Sequence, residues 1–184
     1  MSTRSFIAKQ IGEDQFRTIY CQHDGYLSYN GAMLIDHYNT PEIVDKLLDL
    51  GDLSSLDLRL DPDPSRPHSF DYSERQDGVT VAYGRDRGED GVEARTLTLA
   101  DLDDPNNWTE YVYIFTDNNE WKYFHANHSK EGLRDVDEDL NKIYAQYGIS
   151  RPADYYGFIT DDLVNQLKAQ ESESVDETAF EITM

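Results

Sequence analysis

Residues 110–126 read EYVYIFTDNNEWKYFHA, and this stretch decides the fold class. Two runs rich in aromatic and β-branched residues, 110–116 and 120–126, flank the turn-forming Asp and Asn residues at 117–119. The pattern predicts a β-hairpin. Alternation along a strand buries one face of such a hairpin, so we expect its aromatic side chains to lie in the core of a sheet.

The N-terminal half predicts a second hairpin followed by a helix. Residues 4–10 and 15–22 read as two neighbouring strands joined by a short turn. The helix begins after Thr40, whose hydroxyl can accept an orphan backbone N–H, and Pro41 suits its first position. Gly51 can adopt the left-handed conformation that ends it.

The rest of the chain adds shorter elements of both kinds. Strands are expected at 79–83 and 93–99, a short helix at 32–38, and a long helix at about 130–147. A last helix begins at Thr160. Together these elements predict an α+β fold, an antiparallel sheet of five or six strands with three or four helices packed mainly on one face.

The division of the chain follows from composition. Residues 1–170 are expected to form a single α+β domain, and residues 171–184 an acidic disordered tail without usable periodicity. The Pro-rich segment 61–78 is expected to be an irregular loop. No apolar run is long enough for a membrane span, and a lone cysteine, Cys21, suits a reducing cytoplasm.

The net charge of the chain limits the classes of partner that we expect it to bind. The 184 residues hold 37 Asp and Glu against 16 Lys and Arg, a net charge of −21. Direct nucleic acid binding needs clustered Lys and Arg, and is therefore not expected. Residues 101–184 alone carry 19 acidic and 6 basic side chains. Such asymmetry favours a surface that faces a cationic partner.

The carboxylates expected to contact that partner belong to three acidic segments in the second half. Duplex DNA carries one charge per about 1.7 Å, so 21 charges match about 36 Å of duplex, near one helical turn. A rigid array of this density could stand in for phosphates. The candidate partner-binding residues are Asp101, Asp103, Asp104, Asp135, Glu138, Asp139, Asp161 and Asp162.

Two other groups of residues have alternative interpretations. Cys21 and His23, with His125 and His128, supply four potential zinc ligands, although neither spacing matches a common zinc signature. The segment 85–90 reads RDRGED and could be a phosphate clamp or, more simply, a self-neutralising loop. The sequence lacks a Gly-rich phosphate loop, a nucleophile elbow and an HExxH motif, so we expect no enzymatic activity and no cofactor.

Several motifs in residues 3–90 carry a resemblance to a known family. They are TRSxI from Thr3, IYCxxDGY from Ile19, HYNT from His37, LGDLSSL from Leu50 and YGRDRGE from Tyr83. In this respect the chain resembles small, functionally uncharacterised proteins of tailed phages and prophages. The resemblance brings no catalytic residues. It implies a phage accessory protein in the host cytoplasm, of the kind that acts against host defence.

Three functional hypotheses follow, and a variant of the first is an inhibitor that uses an aromatic patch more than charge, formed by Tyr111, Tyr113, Trp121 and Tyr123. The first is a DNA mimic that occupies the basic groove of a host nucleic-acid-binding protein or ribonucleoprotein complex, such as a restriction nuclease or a CRISPR-Cas complex. The second is a globular protein adapted to high salt, since Asp outnumbers Glu by 24 to 13 and Lys numbers only 6. The third is a metal-dependent protein or enzyme that uses the cysteine and histidines named above. The uneven charge favours the first.

Overall fold

A computed structural model describes the backbone of residues 2–181 and the side chains of residues 2–173. Within this part of the chain there are eight strands and six α-helices. The strands are β1 (Ser5–Gly12), β2 (Gln15–Cys21), β3 (Leu53–Ser55), β4 (Val81–Ala82), β5 (Arg95–Leu97), β6 (Tyr111–Phe115), β7 (Trp121–His125) and β8 (Arg134–Asp135). The helices are α1 (Ala32–His37), α2 (Pro41–Asp49), α3 (Tyr83–Arg87), α4 (Leu99–Leu102), α5 (Val136–Gln146) and α6 (Asp161–Glu181).

The α+β class is confirmed, but the sheet is mixed and larger than predicted, and the described residues form six α-helices instead of three or four. Its order is β4-β3-β2-β1-β6-β7-β8, and β5 also pairs with β2. The pairs β1–β6 and β2–β3 are parallel. Parallel neighbours need long crossover connections, which local alternation does not reveal. The strands that were not predicted, β3 and β8, contain three and two residues, too few to give a periodic signal.

Both predicted hairpins are confirmed. Strands β1 and β2 pair antiparallel from Ser5–Cys21 toward their connecting turn. Strands β6 and β7 pair from Tyr111–His125 to Phe115–Trp121. The predicted strands at 79–83 and 93–99 shrink to β4 and β5, because the chain turns into α3 and α4 directly after them.

The sheet separates two hydrophobic clusters. The larger cluster joins side chains of β1, β2, β6 and β7 to α1, α2, α5 and α6, with Tyr113 and Trp121 fully or almost fully buried in it. The smaller cluster lies on the opposite face, where Leu102 of α4 packs with Val112, Ile114 and Phe124. Successive residues of β6 therefore point to different cores, as strand alternation requires.

The second half differs most from the prediction at its helices. The helix predicted at 130–147 begins only at Val136, because Asp135 caps it and Arg134–Asp135 pairs with β7 instead. Leu133, within the range of the predicted helix, is 48% exposed. The last helix begins after Thr160 as predicted, and α6 continues through residue 181, across most of the segment predicted as a disordered tail. Residues 182–184 of that segment lie outside the described residues. None of the described helices is long and apolar enough to cross a membrane.

The segment 61–78 is largely irregular, as predicted, apart from one 3₁₀ turn at Tyr72–Glu74. Its shape depends on the buried side chain of Gln76. The Gln76 amide accepts from the Asp63 backbone N–H at 2.8 Å and donates to the carbonyl oxygens of Asp63, Arg66 and Pro67 at 3.0–3.2 Å. A buried amide needs its hydrogen bonds satisfied. The contacts of Gln76 therefore fix the positions of Asp63, Arg66 and Pro67 relative to one another.

Thr40 gives the first testable prediction. Its hydroxyl accepts the backbone N–H of Ile43 at 3.4 Å, and Pro41 occupies the first helical position of α2, as the sequence predicts. We expect Thr40→Ala to lower the free energy of unfolding by about 1 kcal/mol, the usual value of a lost N-cap. Urea unfolding of both proteins measures this difference. Thr40→Ser should restore the native stability, and equal stability of the alanine variant would show that the cap is dispensable.

Candidate partner-binding surface

Helix α4 is short and is held by its own acidic residue. Thr98 and Asp101 form a capping box, in which the Thr98 hydroxyl accepts from the Asp101 N–H at 3.1 Å. In return, Oδ2 of Asp101 accepts from the Thr98 N–H at 2.9 Å and from its hydroxyl at 2.7 Å. The two bonds from Thr98 hold the pKa of Asp101 below its usual range, so the exposed carboxylate stays charged.

The next two candidates also have fixed positions. Oδ1 of Asp104 accepts from the backbone N–H of Asn106 at 2.8 Å, which caps the 3₁₀ turn Pro105–Asn107. Oδ2 of Asp103 accepts from the Ser129 hydroxyl at 2.6 Å and so ties the α4 segment to the chain that follows β7. Asp104 is exposed, and Asp103 is partly buried. The acidic segment 101–104 is therefore held by hydrogen bonds of its own carboxylates.

An open depression of about 770 Å³ adjoins these carboxylates. Asp103 and Asp104 line it together with Asp14 and Lys130. Asp14 comes from the β1–β2 turn and accepts the backbone N–H of Leu99 at 2.8 Å. Sequence reasoning missed Asp14, because nothing local shows that the turn of the first hairpin lies against α4.

An exposed tryptophan stands directly after this segment. Trp108 is 76% exposed and has a φ of +60°, a conformation that a bulky residue adopts at a cost. Its carbonyl oxygen accepts from the Arg4 guanidinium at 3.4 Å. Sequence reasoning missed it as a contact residue, although a tryptophan after the polar run DDPNN was a visible signal. We call Asp14, Asp101, Asp103, Asp104 and Trp108 the α4 surface.

The acidic residues at the start of α5 are largely neutralised within the fold. Asp135 caps α5 through the Glu138 N–H at 2.8 Å and pairs with Lys122 at 2.8 Å. Glu138 pairs with Lys142 at 2.5 Å. Asp139 is buried, and although burial alone would raise its pKa, bonds from Arg134 at 2.7 Å and from Tyr123 at 3.1 Å outweigh it and lower the pKa.

Asp161 and Asp162 lie exposed in the first turn of α6, where the helix dipole favours anions. Helices α5 and α6 pack on the larger hydrophobic cluster, whereas α4 packs on the smaller one, across the sheet. The structure thus brings Asp101, Asp103 and Asp104 together. It places Glu138, Asp139, Asp161 and Asp162 on helices of the opposite face and Asp135 in β8, at the start of α5.

The potential zinc ligands do not converge. The register runs from Cys21 to Ser5, then to Tyr111 and to His125, three strand spacings or about 14 Å. Burial raises the pKa of the Cys21 thiol to about 11. Among the residues that the structure describes, no three His, Cys, Asp or Glu side chains could share a metal ion. The geometry therefore does not support the metal-dependent hypothesis.

The arginines of the RDRGED segment are used internally. The Arg85 guanidinium pairs with Asp86 at 2.7 Å and donates to the carbonyl oxygens of Leu60 and Thr80 at 2.6 Å. Arg87 pairs with Glu89 at 3.0 Å. These contacts agree with the self-neutralising interpretation and leave little of Arg85 for a phosphate.

Comparison with known proteins adds no assignment. The chain matches no protein-family model, no curated protein and no solved structure. The resemblance to phage proteins stays a prediction from the motifs in residues 3–90.

Proposed function

We propose that the protein is a phage-type acidic inhibitor of a host defence complex, a CRISPR-Cas complex or a restriction nuclease, and that it acts as a DNA mimic. Its α4 surface would occupy a basic groove that normally binds nucleic acid. Such grooves recognise backbone charge rather than sequence, so carboxylates can replace phosphates in them. The net charge of −21 and its concentration in residues 101–184 support this proposal.

The observation that carries the proposal is the rigidity of exposed charge on the α4 surface. Asp101 and Asp104 each use one carboxylate oxygen in a cap, and both residues remain exposed. Their negative charges are therefore fixed in position before a partner arrives. Fixed groups lose little conformational entropy on binding, which favours affinity.

Trp108 supports the same surface through a different kind of contact. Charges at an interface mainly raise the association rate and set orientation, whereas a few aromatic or arginine anchors usually supply most of the affinity. An exposed tryptophan four residues after Asp104 would add an aromatic anchor to the fixed carboxylates. This favours a protein partner whose basic groove has an apolar or aromatic element at its edge.

The proposal is narrower than the eight residues expected from sequence. Asp135, Glu138 and Asp139 are paired with Lys122, Lys142 and Arg134. A paired carboxylate has less charge to offer a partner. We therefore place the contact on the α4 surface and assign α5 a structural role.

The experiment is capture of the partner followed by competition. The tagged full-length chain is incubated with host lysate, bound proteins are identified by mass spectrometry, and the purified partner is titrated at rising salt with and without duplex DNA. We expect DNA to compete, and we expect the affinity to fall about tenfold or more between roughly 50 and 300 mM salt, because salt screens exposed charges. Affinity that is independent of salt, or a ternary complex with DNA, would contradict the proposal.

A further inference from the structure

A second cavity, of about 590 Å³, lies between α1 with the segment before it and the two loops at residues 57–59 and 154–156. It is lined by aromatic residues of the segment before α1 and of residues 154–156, and by charged residues of the segment 57–59. The volume lies within the usual range for small-ligand sites, about 300–1,000 Å³. We propose that this cavity binds an organic cation, an alkylammonium or guanidinium group, within a cage of tyrosine rings.

Three tyrosines form the cage, and their rings are held in place. Tyr156 lies between His37, whose Nε2 is 2.6 Å from its hydroxyl, and Asp36, which accepts from that hydroxyl at 3.0 Å. The Tyr155 hydroxyl donates to the Phe158 carbonyl oxygen at 2.7 Å. The Tyr29 ring meets the Tyr156 ring edge-on at 6.3 Å between centroids. The rings are thus ordered without a ligand.

The charges around the rings favour a cation. Asp57 and Asp154 both line the cavity. The pKa of Tyr29 is raised first by burial and then by the charge of Asp57. That of Tyr156 is raised by burial, by Asp36 and by Asp154, against a smaller lowering by Arg151, which pairs with Asp36. The phenols are therefore neutral and lie near two carboxylates of the cavity lining, Asp57 and Asp154. Neutral aromatic faces attract cations, most strongly where water is partly excluded.

One positive side chain also lines the cavity. Arg59 donates from Nη2 to the carbonyl oxygen of Asp77 at 3.0 Å. The cavity lining still holds two carboxylates, Asp57 and Asp154, against this single guanidinium. An anionic ligand such as a nucleotide would meet both carboxylates and the field of a chain with net charge −21.

The cation could come from two sources, a free polyamine or the basic side chain of a protein. The residues of this site lie on the side of the sheet that holds the larger hydrophobic cluster. The α4 surface lies on the opposite side, so the two sites are separate. The cation site therefore does not depend on the proposed function. The experiment distinguishes the sources by their probes.

The test is calorimetric titration of the full-length chain with choline and with 3,3-dimethylbutan-1-ol, a neutral molecule of nearly the same shape. We expect choline to bind about tenfold more tightly than the neutral alcohol, because only choline carries the charge. Spermidine and N-acetyl-arginine methylamide are then titrated. Tighter binding of spermidine supports a free polyamine, and tighter binding of the arginine derivative supports a protein side chain.

Variants locate the site. Tyr29→Phe keeps the ring and should keep choline binding, whereas Tyr29→Leu and Tyr155→Leu should each weaken it about tenfold. Tyr72→Leu removes an exposed tyrosine outside the cavity and serves as the control. Thermal melting confirms that each variant is folded. Equal binding of choline and the neutral alcohol, no detectable choline binding, or unchanged binding in both leucine variants would overturn the proposal.

Discussion

Replacing Gly51 with alanine is expected to lower the free energy of unfolding by roughly 3–5 kcal/mol. Gly51 ends α2 with a φ of +73°, where an L-residue with a side chain is strained. A Cβ at this position would lie 2.3 Å from the carbonyl oxygen of Val92. That oxygen also accepts the Asp52 N–H at 2.7 Å, so the backbone cannot move aside without losing a hydrogen bond.

Gly88 provides a matched control. Its φ is +71°, almost the same, and a Cβ there would meet no heavy atom within 4 Å. Gly88→Ala should therefore cost only the left-handed conformation, about 1 kcal/mol. Urea unfolding measures the loss of stability in both variants. The difference between the two losses is the cost of the clash, apart from the cost of the left-handed backbone conformation. Similar losses in both would show that the contact with Val92 is not a constraint.

The second large effect concerns the α4 surface. Asp14→Asn, Asp101→Asn and Asp104→Asn combined are expected to weaken binding to the captured partner about tenfold to a hundredfold, with a shallower dependence on salt. Asparagine keeps the carbonyl oxygen that accepts each capping hydrogen bond, so the fold should be retained. Titration of the partner at several salt concentrations measures both changes.

A control of equal charge change tests the location. Asp137→Asn, Asp161→Asn and Asp162→Asn alter exposed residues of α5 and α6 on the other face of the sheet. This triple variant should lose affinity much less. Trp108→Ala should weaken binding with almost no change in the salt dependence, because it removes apolar contact and no charge. If both triple variants weaken binding equally, overall charge and not the α4 surface determines recognition.

The elements that the sequence predicts best carry a strong local signal. The hairpin of 110–126 has alternating aromatic residues and a turn-forming centre, and α2 has both its Thr40 cap and its apolar stripe. Each of these signals lies within one short, continuous segment of the chain. Local chemistry therefore suffices for them.

The elements that the sequence predicts poorly depend on distant partners. Arg134–Asp135 becomes a strand only because Lys122 and Tyr123 of β7 lie beside it. Among the candidate contact residues, Asp135 and Asp139 carry the same local charge as Asp101 and Asp104, yet the fold pairs them with cations. Which carboxylates remain available to a partner is thus a tertiary property. Asp14 joins the α4 surface for the same reason.

The parallel pairing of β1 with β6 has a consequence for synthesis on the ribosome. Ser5 pairs with Tyr111, so the first hairpin emerges about a hundred residues before the strand that covers its inner edge. At ordinary translation rates of about 5–20 residues per second, the edge of β1 stays unpaired for several seconds. Uncovered strands invite pairing with other nascent chains. Lys9 and Gln10, near the hairpin tip, are polar residues of the kind that disfavour such pairing.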